Sequence, residues 1–199
     1  MRMQWKQIAL TVTLAGAMLP ACGQTTGIDA ALVAKAKGGD AAAQVLVGES
    51  CAAEAAGLHN ATQAGEGYRT AAAWYRKAAE QGFIAGEMHL AALYRDGGKG
   101  FPRNMEQAAA WYRKAAEQGD VTAQGTLGVL YSIGQGVGKD DVEAYFWLDL
   151  AAGVKGPNQE KYAQNRQMVG THITTDEVEE VEERVAKWLE AHPRRGANK

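Results

Sequence analysis

The sequence predicts an all-α fold, an α-solenoid of about three helix-turn-helix repeats that ends in a C-terminal helical cap. The nine residues from Trp74 to Gly82 recur unchanged from Trp111 to Gly119, which is 37 positions later. Within each unit the apolar residues follow a helical spacing, and Gly-rich links separate the two helices. One such helix pair cannot bury its own apolar stripe, so neighbouring pairs are expected to stack around a continuous core.

Composition excludes several classes of protein. The chain has 199 residues, of which 46% are hydrophobic and 22% are charged, as is usual for a chain that folds. Its formal net charge of −2 lacks the basic surplus of a nucleic-acid-binding protein. Two cysteines are too few for a disulfide framework or a four-ligand zinc site. We therefore expect a folded domain that binds no nucleic acid.

Residues 1–21 form a predicted signal peptide. Arg2 and Lys6 give the chain a positive start, and an uncharged apolar run of about a dozen residues follows. This run is shorter than the roughly 20 residues that a membrane-spanning helix needs. The segment is therefore interpreted as an export signal, and it is left out of the fold.

The end of this segment, Leu19-Pro20-Ala21-Cys22, resembles the bacterial lipobox. The resemblance implies that Cys22 is the lipid acceptor and that this anchor is the only attachment of the chain to a membrane. Gly23 rather than Asp follows the cysteine, which in the enterobacterial pattern favours the outer membrane. The alternative is ordinary cleavage after Ala21, which would release a soluble periplasmic protein.

Cys51 has two interpretations that depend on the fate of Cys22. If Cys22 carries a lipid, Cys51 is a single thiol that behaves as a small buried apolar side chain, and this interpretation is preferred. If Cys22 is free in an oxidising periplasm, a disulfide between Cys22 and Cys51 becomes the alternative.

The solenoid is expected over residues 28–155. Asn104 with Gln107, and Asp140 with Glu143, are predicted capping boxes at the starts of two second helices. These boxes mark where each second helix begins after its Gly-rich link.

The repeats differ in the length of that link. From Cys51 to Ala71 the first repeat advances 20 residues, whereas the second advances 14 from Tyr94 to Ala108. The first repeat is therefore predicted to have an enlarged link. Gly119 is expected to end one helix, and Asp120 to begin the next.

The third repeat resembles the Sel1-like repeat, a relative of the tetratricopeptide repeat. The residues that carry the resemblance are Ala123, Gln124, Leu127, Gly128, Tyr131, Gly134, Gly136, Val137, Asp140, Ala144, Trp147, Ala151 and Ala152. The second repeat matches fully only in its second half, since it has Gly86, Glu87 and Ala91 in the first. The resemblance implies a solenoid that binds proteins.

Residues 156–192 are predicted to form a C-terminal helical cap, and residues 193–199 a flexible tail. One helix is expected from Asn158 to Gly170, followed by a helix that starts with a capping box of Thr174 and Glu177. One face of this last helix is apolar at Val178, Val181, Val185, Trp188 and Leu189, and the other is acidic at Glu179, Glu180, Glu182 and Glu183. A polar outer face is expected at a solenoid end, and the alternative is an acidic docking surface.

The sequence contains no recognisable catalytic, metal-binding or cofactor-binding motif. The four histidines, His59, His89, His172 and His192, have no partner at ligand spacing, and there is no HExxH, CxxC or phosphate-binding loop. A pairing of Cys51 with His59 as nucleophile and base is disfavoured, because Cys51 takes a core position of the repeat. We therefore expect no enzyme activity, no metal and no cofactor.

Candidate partner-binding residues follow from the resemblance. Aligning Leu127, Gly128 and Tyr131 with the related tetratricopeptide pattern places the first helix of each repeat along a groove. The alignment implies that seven residues there contact a protein partner: Glu49, Met88, Arg95, Asp96, Thr122, Val129 and Ser132. It also places Val45 and Gly125 in this groove.

The function predicted from the sequence is a non-enzymatic protein-protein binding module or adaptor that faces the periplasm. One alternative, implied by the family resemblance, is an immunity protein that neutralises a type VI secreted phospholipase. A structural lipoprotein without a defined ligand is a further alternative, and a cell-wall-acting enzyme is the least favoured. The sequence leaves the oligomeric state and the identity of the partner open.

Overall fold

The computed structural model describes residues 28–193, which fold into nine α-helices. They are α1 (Ala30–Lys37), α2 (Ala41–Gly57), α3 (Ala61–Ala79), α4 (Ile84–Asp96), α5 (Met105–Glu117), α6 (Val121–Ile133), α7 (Asp141–Ala152), α8 (Gln159–Gly170) and α9 (Thr175–Ala191). This part of the chain forms no strand, and its one extended pairing is an isolated bridge between Gly98 and Phe101. None of its helices is long and apolar enough to cross a membrane.

The helices stack as three pairs with additional helices at each end. The pairs are α2 with α3, α4 with α5, and α6 with α7, and α1 packs on α2 ahead of them. The first helices of successive units also contact each other, as α2 does α4 and α6 does α8. The last helix, α9, packs on α7. The predicted all-α solenoid with a C-terminal helical cap is therefore confirmed.

Small side chains occupy the crossings between these helices. Ala71, Ala108 and Ala144 hold the same position in successive repeats, and all three are fully buried. Gly48 and Gly128 also share a repeat position, and neither has room for a side chain. A Cβ on Gly128 would lie 2.7 Å from Cγ of Leu148, which is closer than real Cβ atoms approach a neighbour. The paired helices therefore pack at a separation that only small residues allow.

The predicted capping residues begin their helices, but two of the predicted capping boxes are only half formed. Asn104 and Asp140 each accept a hydrogen bond at 2.9 Å from the backbone N–H of the third helical residue. In the described chain neither Gln107 nor Glu143 returns a side-chain bond to its cap. Glu143 instead accepts a hydrogen bond at 2.5 Å from Arg184 of α9, which ties the last helix to the solenoid.

The C-terminal helices match their predicted positions closely. Thr174 and Glu177 form a complete capping box at the start of α9. Val181 and Val185 of the predicted apolar face of α9 are buried, and so are Tyr162 and Val169 of α8. The acidic residues predicted for the outer face of α9 are exposed.

The prediction of an enlarged link in the first repeat was wrong. Only residues 58–60 separate α2 from α3, and both helices are long, with 17 and 19 residues. By contrast α4 and α5 have 13 residues each and are joined by the longer segment 97–104. The additional residues of the first repeat therefore extend its helices rather than its link.

Cys51 is buried in α2, with a relative exposure of 1%. It is disulfide-bonded, so the preferred interpretation of a single thiol was wrong and the alternative is supported. Burial of this residue also excludes the disfavoured pairing of Cys51 with His59 as nucleophile and base. Cys22, the other cysteine of the sequence, lies outside the described residues, as do the rest of the predicted signal peptide and most of the predicted tail.

A buried amide closes the junction between successive repeats. Nε2 of Gln44 donates to the carbonyl oxygen of Ala36 at 3.1 Å, and Nε2 of Gln124 donates to that of Ala116 at 3.2 Å. Each side chain therefore adds a second hydrogen bond to a carbonyl group at the end of the preceding helix, which also accepts the backbone N–H of Gly39 or Gly119 from the following turn. Glutamine at this repeat position contributes a hydrogen bond that is sheltered from water.

The second repeat has Glu87 at this position, with a relative exposure of only 2%. One carboxylate oxygen of Glu87 accepts a hydrogen bond from Nε2 of Gln118 at 2.7 Å. Burial raises the pKa of Glu87, although the nearby Lys114 and the bond from Gln118 act in the opposite direction. Gln44 and Gln124 each donate an N–H to the preceding helix. An ionised Glu87 has no proton with which to make the same bond.

We expect Glu87→Gln to stabilise the protein and to reduce the pH dependence of its stability. Because the folded state raises the pKa of Glu87 above its ordinary value, it binds this proton more tightly than the unfolded chain does. The free energy of unfolding should therefore fall as the pH rises from the ordinary carboxyl pKa through the raised one. At pH 7 the variant should gain about 1 kcal/mol in urea unfolding.

The reverse exchange, Gln124→Glu, is the matched control. It should lower the free energy of unfolding and introduce the pH dependence that Glu87→Gln removes. Equal slopes of stability against pH in the wild type and Glu87→Gln would contradict the assignment.

Trp111→Ala should destabilise the solenoid by about 3–5 kcal/mol, since it leaves a cavity between repeats. Trp111 is 9% exposed, and Nζ of Lys114 lies 3.9 Å from its ring centroid. The equivalent Trp74 is only half-buried, so Trp74→Ala should cost less. Urea unfolding followed by far-UV circular dichroism measures both, and a smaller cost for Trp111→Ala would be inconsistent with this packing.

Candidate functional site

The outward face of α2, α4 and α6 forms a surface that repeats from unit to unit. On α2 it includes Leu46, Glu49 and Ala53, which are spaced as one face of a helix and are all exposed. The corresponding residues are His89, Ala92 and Asp96 on α4, and Thr126, Val129 and Ile133 on α6. We call these nine residues the inner-helix face.

Two of the positions predicted to line this surface are buried instead. Val45 is 6% exposed, and Gly125 lies under the ring of Tyr162. A Cβ on Gly125 would come within 2.2 Å of that ring, so no side chain fits there. Met88, which has the same repeat position, is half-buried and packs against the core. The sequence alignment was therefore one residue out of register at this turn.

The residues that face outward at this turn are the exposed Leu46 and the half-buried His89 and Thr126, none of which the sequence pattern had placed in the groove. Their spacing from Glu49 and Val129 is the signal that would have found them, since residues three and four apart share a helix face. Leu46 is 48% exposed, which is high for a leucine on a folded domain. The correct register puts Leu46, His89 and Thr126 in place of Val45, Met88 and Gly125, so this turn of the surface carries one exposed apolar side chain and two polar ones.

Glu49 takes part in a polar cluster that joins the first two repeats. Its Oε1 lies 3.0 Å from Nε2 of His89, and the imidazole stacks on the ring of Tyr75 at a centroid distance of 5.1 Å. Both partners of the pair are about two-fifths exposed, so solvent screens their attraction. The cluster therefore adds little to the free energy of unfolding. Its main effect is to hold the side chains of Glu49 and His89 in place on the inner-helix face.

Three of the predicted site residues lie together at the end of this face. Arg95, Asp96 and Val129 line a depression of about 460 Å³ between α4 and α6. Arg103, Met105 and Ile133 line it as well, and Ile133 is 55% exposed. We call these six residues the α4–α6 trough. It combines apolar side chains with two guanidinium groups and one carboxylate.

Arg95 and Asp96 neutralise each other within this trough. Nε and Nη2 of Arg95 donate to the two carboxylate oxygens of Asp96 at 2.7 and 2.9 Å. Nη1 of Arg95 donates to the hydroxyl of Tyr112 at 2.9 Å, which anchors the guanidinium to α5. The bond from Arg95 holds the pKa of Asp96 below its usual value, so the carboxylate stays ionised near neutral pH.

The trough continues into a second depression along the next link. This loop depression has a volume of about 700 Å³ and shares Arg103 and Met105 with the trough. Its other lining residues are Asn104, Glu106, Gly134, Gly136, Val137 and Gly138. The two depressions form one concave surface on the side of the solenoid where the links lie.

The remaining predicted site residues do not join this surface. Thr122 lies beside Tyr162 and helps to lower the pKa of its hydroxyl, against the larger effect of burial, and Oγ of Ser132 donates to the carbonyl oxygen of Val129 at 2.9 Å. Glu49 lies on another turn of the inner-helix face, whereas Met88 packs against the core. The seven predicted residues therefore do not form one surface, and only Arg95, Asp96 and Val129 line a concavity.

The described residues contain no group of three or more His, Cys, Asp or Glu side chains that could hold a metal ion. The concave surface presents apolar side chains, the guanidinium of Arg103 and the backbone of a glycine-rich loop. The absence of enzyme activity and of a cofactor stays a prediction.

Comparison with known proteins agrees with this architecture. The Sel1 repeat model matches residues 61–83, 84–120 and 122–153. A search of curated proteins finds no significant match.

Two solved structures are similar to the chain. One is a protective antigen present in uropathogenic Escherichia coli strains that displays an SLR fold, with 31% identity and a TM-score of 0.63. The match covers 81% of this chain but only 32% of that longer one. The other is a Sel1 repeat protein from Oxalobacter formigenes, with 30% identity, a TM-score of 0.55, and coverage of 68% of this chain and 96% of that one. The chain therefore belongs to the Sel1 repeat family.

Proposed function

We propose that this protein is a periplasmic binding module that holds a protein partner on its inner-helix face and α4–α6 trough. Sel1 repeats are generally protein-protein interaction modules. The observation that carries the proposal for this chain is the concave surface in which Ile133, Met105 and Val129 adjoin Arg103. Interfaces commonly combine such apolar centres with arginine.

Export to the periplasm is supported by two features of the chain. Residues 1–21 have the pattern of a signal peptide. Cys51 is disulfide-bonded, and disulfides persist in oxidising compartments such as the periplasm rather than in the cytosol. Attachment to the outer membrane through a lipid on Cys22 is the alternative to a soluble state, because a lipidated Cys22 has no thiol left for a disulfide.

We expect the mature chain to begin at Cys22 when it is produced with its own leader. Intact-mass spectrometry of the purified chain, before and after reduction, separates the two fates of Cys22. A diacylglyceryl adduct would establish the lipoprotein, whereas a gain of two hydrogens on reduction would establish the soluble, disulfide-bonded form. Retention of residues 1–21 would contradict export.

The binding function is tested by capturing partners from envelope and secreted extracts and then blocking the face. Ala92→Arg places a long cation in the middle of the inner-helix face, where the native side chain is small and half-exposed. We expect this variant to retain less than about a tenth of the captured partner, a loss of roughly 1.4 kcal/mol or more. Circular dichroism melting verifies that the variant is folded.

Ala186→Arg is the matched control, since it makes the same substitution at an exposed position of α9. A partner that both variants retain equally would contradict the proposed face. The immunity hypothesis predicts one toxin-sized partner at 1:1 stoichiometry, whereas an adaptor should retain several envelope proteins more weakly.

A further inference from the structure

The N-terminal end of the solenoid has a shorter covering helix than the later junctions. α1 takes the place of a second helix ahead of α2, because Ala36 meets Gln44 as Ala116 meets Gln124. α1 has 8 residues and α2 has 17, so at 1.5 Å per residue α1 extends along about 12 Å of a helix of about 26 Å. By contrast α3, with 19 residues, precedes α4 with 13, and α5 and α6 have 13 each.

The part of α2 that α1 does not reach is its second half. Residues 38–40 join the two helices at the start of α2, so α1 runs back from that turn and begins level with the middle of α2. Beyond this level Ala53, Ala56 and Gly57 are exposed. The other main neighbours of α2 are α3 and α4, which follow it in the solenoid. Among residues 28–193, therefore, no helix of a preceding unit lies beside the last turns of α2.

The first junction also lacks a bond that later junctions have. Nη2 of Arg76 in α3 donates to the hydroxyl of Tyr94 in α4 at 2.6 Å. Arg113 in α5 makes the same bond to Tyr131 in α6, exactly one repeat later. Each bond joins the second helix of one unit to the first helix of the next. At the first junction the chain has Val33 and Cys51 at these two repeat positions, and neither side chain can form such a bond.

A covalent bond is present at this place instead. Cys51 is disulfide-bonded, and the sequence has only one other cysteine, Cys22. An intramolecular disulfide of Cys51 therefore requires the Cα atom of Cys22 to lie within about 7 Å of that of Cys51. Six residues, 23–28, connect Cys22 to Asp29, which caps α1. Fully extended, this connection would span about 24 Å, so it has the length to pass over the turns of α2 that follow Cys51.

The composition of this connection suits a cover at the end of a solenoid. Residues 23–28 carry no charge, and Gln24, Thr25 and Thr26 are polar. Ile28 packs against the core, which directs the chain along the N-terminal end. Solenoid ends require a polar outer surface over their last apolar layer. The C-terminal end has α8 and α9 for this purpose, whereas the described part of the N-terminal end has only α1.

We infer that residues 22–28 cover the second half of α2 as the N-terminal cap of the solenoid, held in place by a disulfide between Cys22 and Cys51. The small side chains of Ala53 and Ala56 let a polypeptide segment approach α2 closely. The inference concerns the end of the solenoid and goes beyond the proposed binding of a partner.

Formation of this bond requires an oxidant of stated chemistry. The two thiols lose two electrons and two protons as the S–S bond forms. A protein disulfide of an oxidising compartment accepts them by thiol–disulfide exchange and becomes a dithiol. A lipid on Cys22 would occupy the same sulfur, so the cap and the lipid anchor exclude each other.

Hydrogen exchange tests the cap on the chain exported to the periplasm behind a leader that does not direct lipidation. We expect the backbone amides of residues 52–57 to exchange at least about tenfold faster in Cys22→Ser than in the oxidised wild type, since an uncovered helix end opens more often. Reduced wild type should match Cys22→Ser. Gly23→Ser is the matched control, because it adds a serine next to the bond and keeps the disulfide. Amides of α6 should be unchanged in every sample.

Photo-crosslinking tests where the segment lies. A benzophenone amino acid in place of Thr25 should crosslink to residues 50–57 of the oxidised protein, as identified by mass spectrometry of its peptides. In the Cys22→Ser background we expect this yield to fall about tenfold. The same amino acid in place of Lys161, which is exposed on α8, is the control and should give no crosslink to α2.

Four results would overturn the inference. They are a reduced Cys51 in the exported chain, a disulfide-linked dimer on a non-reducing gel, exchange at residues 52–57 that Cys22→Ser leaves unchanged, and crosslinks from position 25 to other helices. The chain produced with its own leader adds a further test. If it carries a lipid, residues 52–57 should exchange as fast as in Cys22→Ser, and slow exchange there would contradict the exclusion of cap by anchor.

Discussion

The close approach of the two helices in each pair is the constraint on which the rest of the structure depends. At Gly128 a side chain would collide with Leu148, and at Gly48 it would collide with Tyr75. Only small residues at these crossings let the backbones approach far enough for the larger side chains nearby to be enclosed. That separation allows the pairs to stack, encloses Trp111 and Trp147, and aligns the outward faces of the first helices.

Close packing also explains the row of buried amides between repeats. The carbonyl groups of Ala36 and Ala116 each accept one backbone N–H from the following turn, and a side chain of the next repeat supplies a second donor. Gln44 and Gln124 provide it at two junctions. Glu87 departs from the pattern and is stabilised in part by Gln118, which donates to its carboxylate. The solenoid tolerates a carboxylate at this one repeat position because the glutamines at the neighbouring junctions keep the repeats aligned.

The candidate site arises from a difference between repeats rather than from the repeat itself. α3 is two turns longer at its start than α5, and those turns cover the link at Gly100. At the equivalent link Gly136 lies against Met105, the first residue of α5, and the concave surface beside it is lined by Arg103 and Ile133. In a regular array every link would have the same surroundings, so irregularity in helix length is what distinguishes one surface for a partner.

The sequence by itself determined the all-α class, the repeat positions, the capping residues such as Asp140, and the helices of the C-terminal cap. These features depend on local periodicity and on residues a few positions apart, which a single chain displays directly. Only the tertiary structure decided that the first repeat extends its helices, that Gly125 lies beneath Tyr162, and that Arg95 and Val129 line one trough. Those outcomes depend on which surfaces neighbouring helices cover, and that information is spread over residues far apart in the chain.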